Sequence, residues 1–159
     1  MRVGFGLGSN IGDKPENISK ALKLLEERGV ARLTAVSRIY RTPPWGVLDQ
    51  GDFANACAIG ETPLSPYELL AAVKKIEADM GREPTRRWGP RLIDVDILFL
   101  GDHTLDDPEL TLPHKELFGR GFVLLPLVEI APDLVLDGVP VAEAVAAVDV
   151  AGVRPWAEG

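Results

Sequence analysis

Residues 33 to 61 read LTAVSRIYRTPPWGVLDQGDFANACAIGE. Residues 33–40 are β-branched and aromatic, and 53–61 place Phe53, Asn55, Cys57 and Ile59 on one face at period two. Both stretches predict strands, with no helical period between them. Consecutive strands without a crossover helix pair antiparallel, which favours an α+β fold over a doubly wound parallel sheet.

On the N-terminal side, residues 2–8 alternate weakly and predict a short strand ending in the turn GSNIGD. A helix follows, opened by Asp13 with Glu16 three residues on, carrying Ile18, Leu22 and Leu25 on one face and stopping at Gly29. On the C-terminal side, Ser65 and Pro66 open a second helix with Leu69, Leu70, Val73, Ile76 and Met80 on its buried side and Gly81 at its end. A strand over 92–100 comes next. Beyond it, DDPELTLPHKELFGRGF reads as a loop, LVLDGVPV as a hairpin around Asp137 and Gly138, and VAEAVAAV as a short helix. The order strand, helix, strand, strand, helix, strand fits a ferredoxin-like, mainly antiparallel sheet with helices packed on both faces, as one domain spanning 1–159.

The chain has 159 residues, is 46% hydrophobic and carries a formal net charge of -7. That balance argues against nonspecific nucleic-acid binding. One cysteine, Cys57, excludes an intramolecular disulfide, and the absence of a signal-like or membrane-length apolar stretch leads to the expectation of a soluble cytoplasmic protein, monomeric by default. Arg82, Arg86, Arg87 and Arg91 form a local basic cluster whose only acid is Glu83. It reads either as a solvated charge run or as an anion site.

Four features bear on chemistry. GFGLGSN completes neither G-x-G-x-x-G nor a P-loop and reads as a tight turn. In RWGPRLIDVDILFL, 87–100, alternation puts Ile93, Val95, Ile97 and Phe99 on one face and Leu92, Asp94, Asp96, Leu98 and Leu100 on the other. Carboxylates about 6 Å apart repel by roughly 2.5 to 3 kcal/mol at an effective dielectric near 20. They need an arginine, a divalent metal such as Mg2+, or a strand end open to solvent. The stretch RTPPWGVLDQGDFANA, 41–56, is long for a connection between two strands and offers Trp45 and Phe53 as a clamp for a flat ring with Asn55 reading its edge, or else as aromatics that pack the loop onto the sheet. His114 stands in a loop without a serine or cysteine partner, so nucleophilic catalysis is not expected.

Taken together, RWGPRLIDVDILFLG, YRTPPWG, FANA and LPHKELFGRGF resemble the 6-hydroxymethyl-7,8-dihydropterin pyrophosphokinase family, from about residue 8 to about residue 131. The resemblance implies transfer of a pyrophosphoryl group from ATP, by attack at the β-phosphorus, to the hydroxymethyl oxygen of the reduced pterin, giving the pterin diphosphate and AMP. It implies that Asp94 and Asp96 hold two Mg2+ ions, with Arg82 and Arg91 assisting catalysis. The pterin would meet Thr42, Pro43, Pro44, Trp45, Phe53, Asn55 and Phe122; ATP would meet Leu70, Lys74, Glu77, Arg87, Trp88, Arg91, Ile97, Thr111, His114 and Arg120. Trp45 replaces a commonly aliphatic residue, Lys74 a glutamine, Glu109 an arginine of some relatives and Lys115 a common aromatic, and the loop between Glu77 and Trp88 is one residue short, which bears on Arg86. Asp96 is a candidate acceptor for the hydroxyl proton, and loops 41–52 and 81–91, with Gly46, Gly51, Gly81 and Gly89, are expected to move on binding. A nucleotide-holding module and a phosphohydrolase are the alternatives.

Overall fold

The computed structural model describes residues 1–43, 52–81 and 92–156. β1 (Arg2–Ser9) leads into α1 (Lys14–Glu27), β2 (Arg32–Val36), β3 (Tyr40–Thr42), β4 (Phe53–Glu61), α2 (Pro66–Met80) and β5 (Asp94–Leu100). There follow a small hairpin of β6 (Leu105–Asp106) and β7 (Thr111–Leu112), a 3-10 turn at Leu117–Gly119, and α3 (Gly121–Ile130). A second hairpin of β8 (Val135–Leu136) and β9 (Val139–Pro140) then precedes α4 (Val141–Ala146) and β10 (Arg154–Pro155). The main sheet runs β10-β3-β4-β1-β5, with β2 also beside β4, and its described pairings are all antiparallel.

The helix ends follow the local signals. The Asp13 carboxylate accepts from the Glu16 backbone N–H at 3.2 Å, and Gly29 takes φ +68° after α1. At α2 the Ser65 N–H donates to Glu68 Oε1 at 3.0 Å, and the helix stops at Gly81. Asp137 and Gly138 both have positive φ, 50° and 77°, as a two-residue hairpin turn requires.

Two buried layers sandwich the sheet. On one face Val3, Phe5 and Leu7 of β1 meet Ile18, Ala21 and Leu25 of α1 and Leu69, Val73 and Ile76 of α2. On the other, Cys57, Ile59, Leu98 and Phe99 meet Val123, Leu124 and Leu127 of α3 and Val141 and Ala144 of α4. Helices therefore cover both faces, as expected. Beyond the exposed Arg2 at its start, β1 gives the second face no side chain, because its alternate residues there are Gly4, Gly6 and Gly8. A Cβ on Gly4 would lie 2.2 Å from Phe99 Cε1, and one on Gly6 would lie 3.3 Å from Leu98 Cδ2. The strand expected over 2–8 therefore forms and runs on to Ser9, so GFGLGS, which in sequence also reads as a tight turn, is central strand, and its glycines are where two large side chains lie on bare backbone.

Three other expectations change. The stretch 33–40 is divided between β2 and β3, because Ser37 inserts its hydroxyl between them: Ser37 Oγ accepts from the Cys57 N–H at 2.9 Å and donates to Arg38 O at 2.7 Å. Strict alternation in β5 fails at its end. Ile97 lies opposite Phe5 but Phe99 lies opposite Gly4, so a bulge at Leu98 moves Phe99 onto the α3 face and Leu100 onto the α1 and α2 face. The stretch read as a loop after residue 105 contains the β6–β7 hairpin, and the apolar run beyond it is α3, whose helical pattern Pro126 interrupts in the sequence.

α3 is fastened to the sheet by Glu129. Its carboxylate accepts from Tyr40 Oη, from the Arg38 backbone N–H at 2.9 Å and from Arg38 Nε at 3.1 Å. Burial pushes this carboxyl up, but the three donors outweigh it and hold it below the ordinary carboxylate range. The stabilisation is complete above the unfolded pKa near 4.5 and fades as pH falls through the lower folded value. Glu129→Gln is therefore expected to lose about 1 to 2 kcal/mol at pH 7, a difference that narrows below pH ~4. Urea unfolding at pH 7 and pH ~3.5 checks this; a gap that is constant with pH would refute it.

Candidate active site

Where the glycine face of β1 is not covered by Leu98 and Phe99, a cleft of about 200 Å³ opens between the sheet and the start of α3. Asp94 lies opposite Gly8, and Gly8 opposite Asn55; Asp96 lies opposite Gly6, and Gly6 opposite Cys57. The central strand is the floor, with carboxylates of β5 along one side and the side chains of β4 along the other. A Cβ on Gly8 would come 3.1 Å from Asn55 Oδ1.

On the β4 side, Phe53 is the register partner of Thr42, and Asn55 donates through Nδ2 to Thr42 Oγ1 at 3.0 Å. Across the cleft stand Arg120, Phe122 and Val123. The Arg120 guanidinium is 5.6 Å from the Phe122 ring centroid and pairs with Glu116 four residues before it. Cys57 also lines the cleft, but its thiol is buried and donates to Val123 O at 3.4 Å. Burial pushes its pKa far up, so it is no thiolate nucleophile.

His114 stands at the rim of this group. Its backbone N–H donates to Leu98 O at 2.8 Å, and its Nδ1 accepts from the Glu116 N–H at 3.2 Å. The remaining ring nitrogen, Nε2, is 3.9 Å from Asp96 Oδ2. Burial lowers the imidazole pKa, with Asp96 acting in the opposite direction, so the neutral ring with its proton on Nε2 prevails at pH 7. Glu77, on α2, reaches the opposite side of the same strand: its Oε2 accepts from the Val95 N–H at 2.7 Å, between the two aspartates, and Lys74 Nζ is 3.3 Å from Oε1. Burial raises the Glu77 pKa.

Of the residues singled out in the sequence, Thr42, Phe53, Asn55, Asp94, Asp96, Arg120 and Phe122 converge on the cleft. Pro43 lines an adjoining recess that shares Thr42 and Phe122. Leu70 packs half-buried against the α1 and α2 layer, and Thr111 Oγ1 bonds Asp107 O at 3.4 Å. Ile97 is 4% exposed and faces that same layer, so only its backbone is left for a ligand. Pro44, Trp45, Arg82, Arg86, Arg87, Trp88 and Arg91 lie outside the described residues, as do Gly46, Gly51 and Gly89.

Residues 4–132 match the family described as 7,8-dihydro-6-hydroxymethylpterin-pyrophosphokinase (HPPK). A 2-amino-4-hydroxy-6-hydroxymethyldihydropteridine pyrophosphokinase of Methylorubrum extorquens is 47% identical over 153 residues, 96% of this chain and 97% of its own length. The chain belongs to the HPPK family. A protein of the same name from Pseudomonas aeruginosa is 44% identical over 155 residues, 97% of this chain and 96% of its own. The crystal structure of Plasmodium falciparum HPPK-DHPS with pteroate superposes with a TM-score of 0.73 over 92% of this chain, at 16% identity, and shows the shared fold; the chain spans 42% of that larger protein.

Within this HPPK cleft, the chain brings a donor set of two carboxylates on successive cleft-facing positions of β5, and Asp96 is 43% exposed at its side chain. Among the described residues no group of three or more His, Cys, Asp or Glu is placed to cage an ion. Two hard oxygen ligands with open positions suit Mg2+, which keeps waters and takes phosphate oxygens, and do not suit a closed structural site. The cleft residues that escaped the sequence reading include its floor, Gly6 and Gly8. Their signal was present as glycine at every second position of a strand.

Glu77→Ala would leave the Val95 N–H without its acceptor and is expected to cost about 1 to 3 kcal/mol, with faster exchange of the Val95 amide. Unfolding and amide exchange on the variant test it; an unchanged Val95 exchange rate would show that Glu77 does not hold this strand.

Proposed function

We propose that the cleft takes 6-hydroxymethyl-7,8-dihydropterin and that the protein transfers the pyrophosphoryl group of ATP to its hydroxymethyl oxygen, giving the pterin diphosphate and AMP, in folate biosynthesis. The observation that carries this reading is the convergence, in a member of the HPPK family, of two phenyl rings, a fixed amide and two carboxylates on one glycine floor. The sheet order β3-β4-β1-β5, with helices following β1 and β4 along the chain, supports the ferredoxin-like reading of the fold. We place the protein in the cytoplasm as a single-domain monomer.

In this reading Phe53 and Phe122 hold the flat pterin, as aromatic faces do for heterocycles. Asn55, with one amide donor engaged by Thr42, offers its carbonyl oxygen and other donor to the ring edge. The ring then lies along the floor with its hydroxymethyl group toward β5. Asp94 and Asp96 hold two Mg2+ ions, which supply neutralising charge for the triphosphate when bound. Arg120 adds fixed positive charge beside Phe122, and Arg82, Arg87 and Arg91 are assigned to the phosphates and Trp88 to the nucleotide by the family motif. Lys74, Glu77, Leu70, Thr111, His114 and the Ile97 backbone form the nucleotide side, along the outer edge of β5. Asp96 is the proton acceptor closest to the pterin's hydroxyl in this arrangement, with His114 Nε2 3.9 Å from its Oδ2.

Incubation with ATP, Mg2+ and the hydroxymethyl dihydropterin should release AMP only when the pterin is present. Release of ADP, or loss of ATP without the pterin, would point to a phosphohydrolase; unchanged ATP would point to a binding module. Asp94→Asn and Asp96→Asn should each lower kcat by at least about a hundredfold, with weaker Mg2+ dependence.

Gly8→Ala pushes a methyl group against the Asn55 amide and is expected to raise the KM for the pterin about tenfold with stability changed by less than about 1 kcal/mol. Steady-state kinetics with each substrate varied separately would contradict this if the KM for ATP moved instead.

A further inference from the structure

β10 adds an outer strand to the main sheet beside β3, and Trp156 follows it immediately. The Trp156 backbone N–H donates to Ile39 O at 2.8 Å, which fixes where the indole lies. The Arg41 guanidinium is 4.2 Å from its ring centroid, and Lys14 Nζ, from the first turn of α1, is 5.7 Å from it. Both cations continue to one residue. Arg41 Nη1 is 3.3 Å from Asp52 Oδ2, and Lys14 Nζ donates to Asp52 O at 2.7 Å.

The position of Asp52 gives this cluster its meaning. Asp52 immediately precedes Phe53, and Arg41 immediately precedes Thr42; Thr42 and Phe53 are register partners that both line the cleft. An Arg–Asp pair whose side chains are 37% and 33% exposed would by itself do little, since two long or mobile side chains must be ordered to make it. A flat indole removes much of that freedom from the planar guanidinium and attracts its charge. Trp156 therefore lies at a junction of α1, β3, β4 and β10, beyond the 4–132 stretch that carries the family match.

We propose that Trp156 is a positioning residue for the pterin half of the cleft: by holding Arg41 and Lys14 on Asp52, it sets the Thr42–Phe53 pair before substrate arrives. The proposal rests on the reading of Phe53 and Asn55 as pterin contacts. It places the effect in ligand affinity, because a pair left to sample other arrangements must be ordered during binding, and leaves the carboxylates of β5 untouched.

The test uses the full chain carrying Trp156→Ala, Trp156→Phe, Arg41→Ala and the Trp156→Ala/Arg41→Ala double change, with pterin Kd measured by calorimetry and KM and kcat for both substrates. Trp156→Ala is expected to weaken pterin binding about three- to tenfold while kcat and the KM for ATP stay within about twofold. Trp156→Phe, which keeps an aromatic face, should recover most of the loss, and adding Trp156→Ala to Arg41→Ala should cost clearly less than Trp156→Ala alone, since only the Lys14 contact is left to lose. Equal weakening of ATP and pterin, unchanged pterin affinity in Trp156→Ala, or full additivity with Arg41→Ala would each overturn the proposal. Phe53→Ala separates the two levels. If it weakens pterin binding while Trp156→Ala does not, the positioning role alone fails; if Phe53→Ala has no effect, the pterin reading of the cleft fails and the proposal with it.

Discussion

The bare face of β1 is the constraint on which the other features depend. A central strand normally contributes side chains to both layers of a sandwich, and β1 contributes to one. Over Gly4 and Gly6 the vacated space is filled by Phe99 and Leu98, which lock β5 to the sheet beneath α3. Farther along, over Gly6 and Gly8, the same bare backbone is left as the cleft floor. Packing and binding thus use one surface, divided by where the large side chains of β5 stop and its carboxylates begin. The bulge at Leu98 sharpens this division by bringing Phe99 to the α3 face beside Leu98, so two large residues close the covered end.

Around that floor each functional wall is tied to a rigid element. Asp94 and Asp96 belong to a strand paired with β1 on one side and gripped on the other by Glu77 through the Val95 N–H. Asn55 is oriented by Thr42, and the Thr42–Phe53 pair closes the β3–β4 ladder. α3, which brings Phe122 and Val123, is fastened to β3 by the Glu129, Tyr40 and Arg38 contacts. In a chain of net charge -7, Arg120 is the cation that lines the cleft across from Asp94 and Asp96, and it is itself paired with Glu116.

Much of this was legible in short stretches of sequence. Asp13 and Glu16, Ser65 with Glu68, Gly29 and the Asp137–Gly138 turn announce their elements because capping and turn chemistry act within a few residues. The lack of a helical period in the sequence between residues 40 and 53 was enough to predict an antiparallel pair. What failed involved partners distant along the chain. The division of 33–40 depends on the Ser37 hydroxyl meeting Cys57, and the face of Phe99 depends on a bulge against Gly4. α3 was missed because an apolar run containing Pro126 has no strong helical signature until a sheet covers one side of it.

The sequence by itself determined the order of elements, the shared face of Asp94 and Asp96 and, through its motifs, the family to which it belongs, since periodicity, caps and motif spacing are properties of neighbouring residues. Only the tertiary structure decided that the glycines of the first strand are a cleft floor, that Phe99 leaves the face of Ile97 while Arg120 and Phe122 turn in, and that Trp156 lies on the residues that set Thr42 and Phe53. Those outcomes depend on which strands become neighbours and on how large side chains divide the space over the glycines, and neither is encoded within any one stretch of the chain.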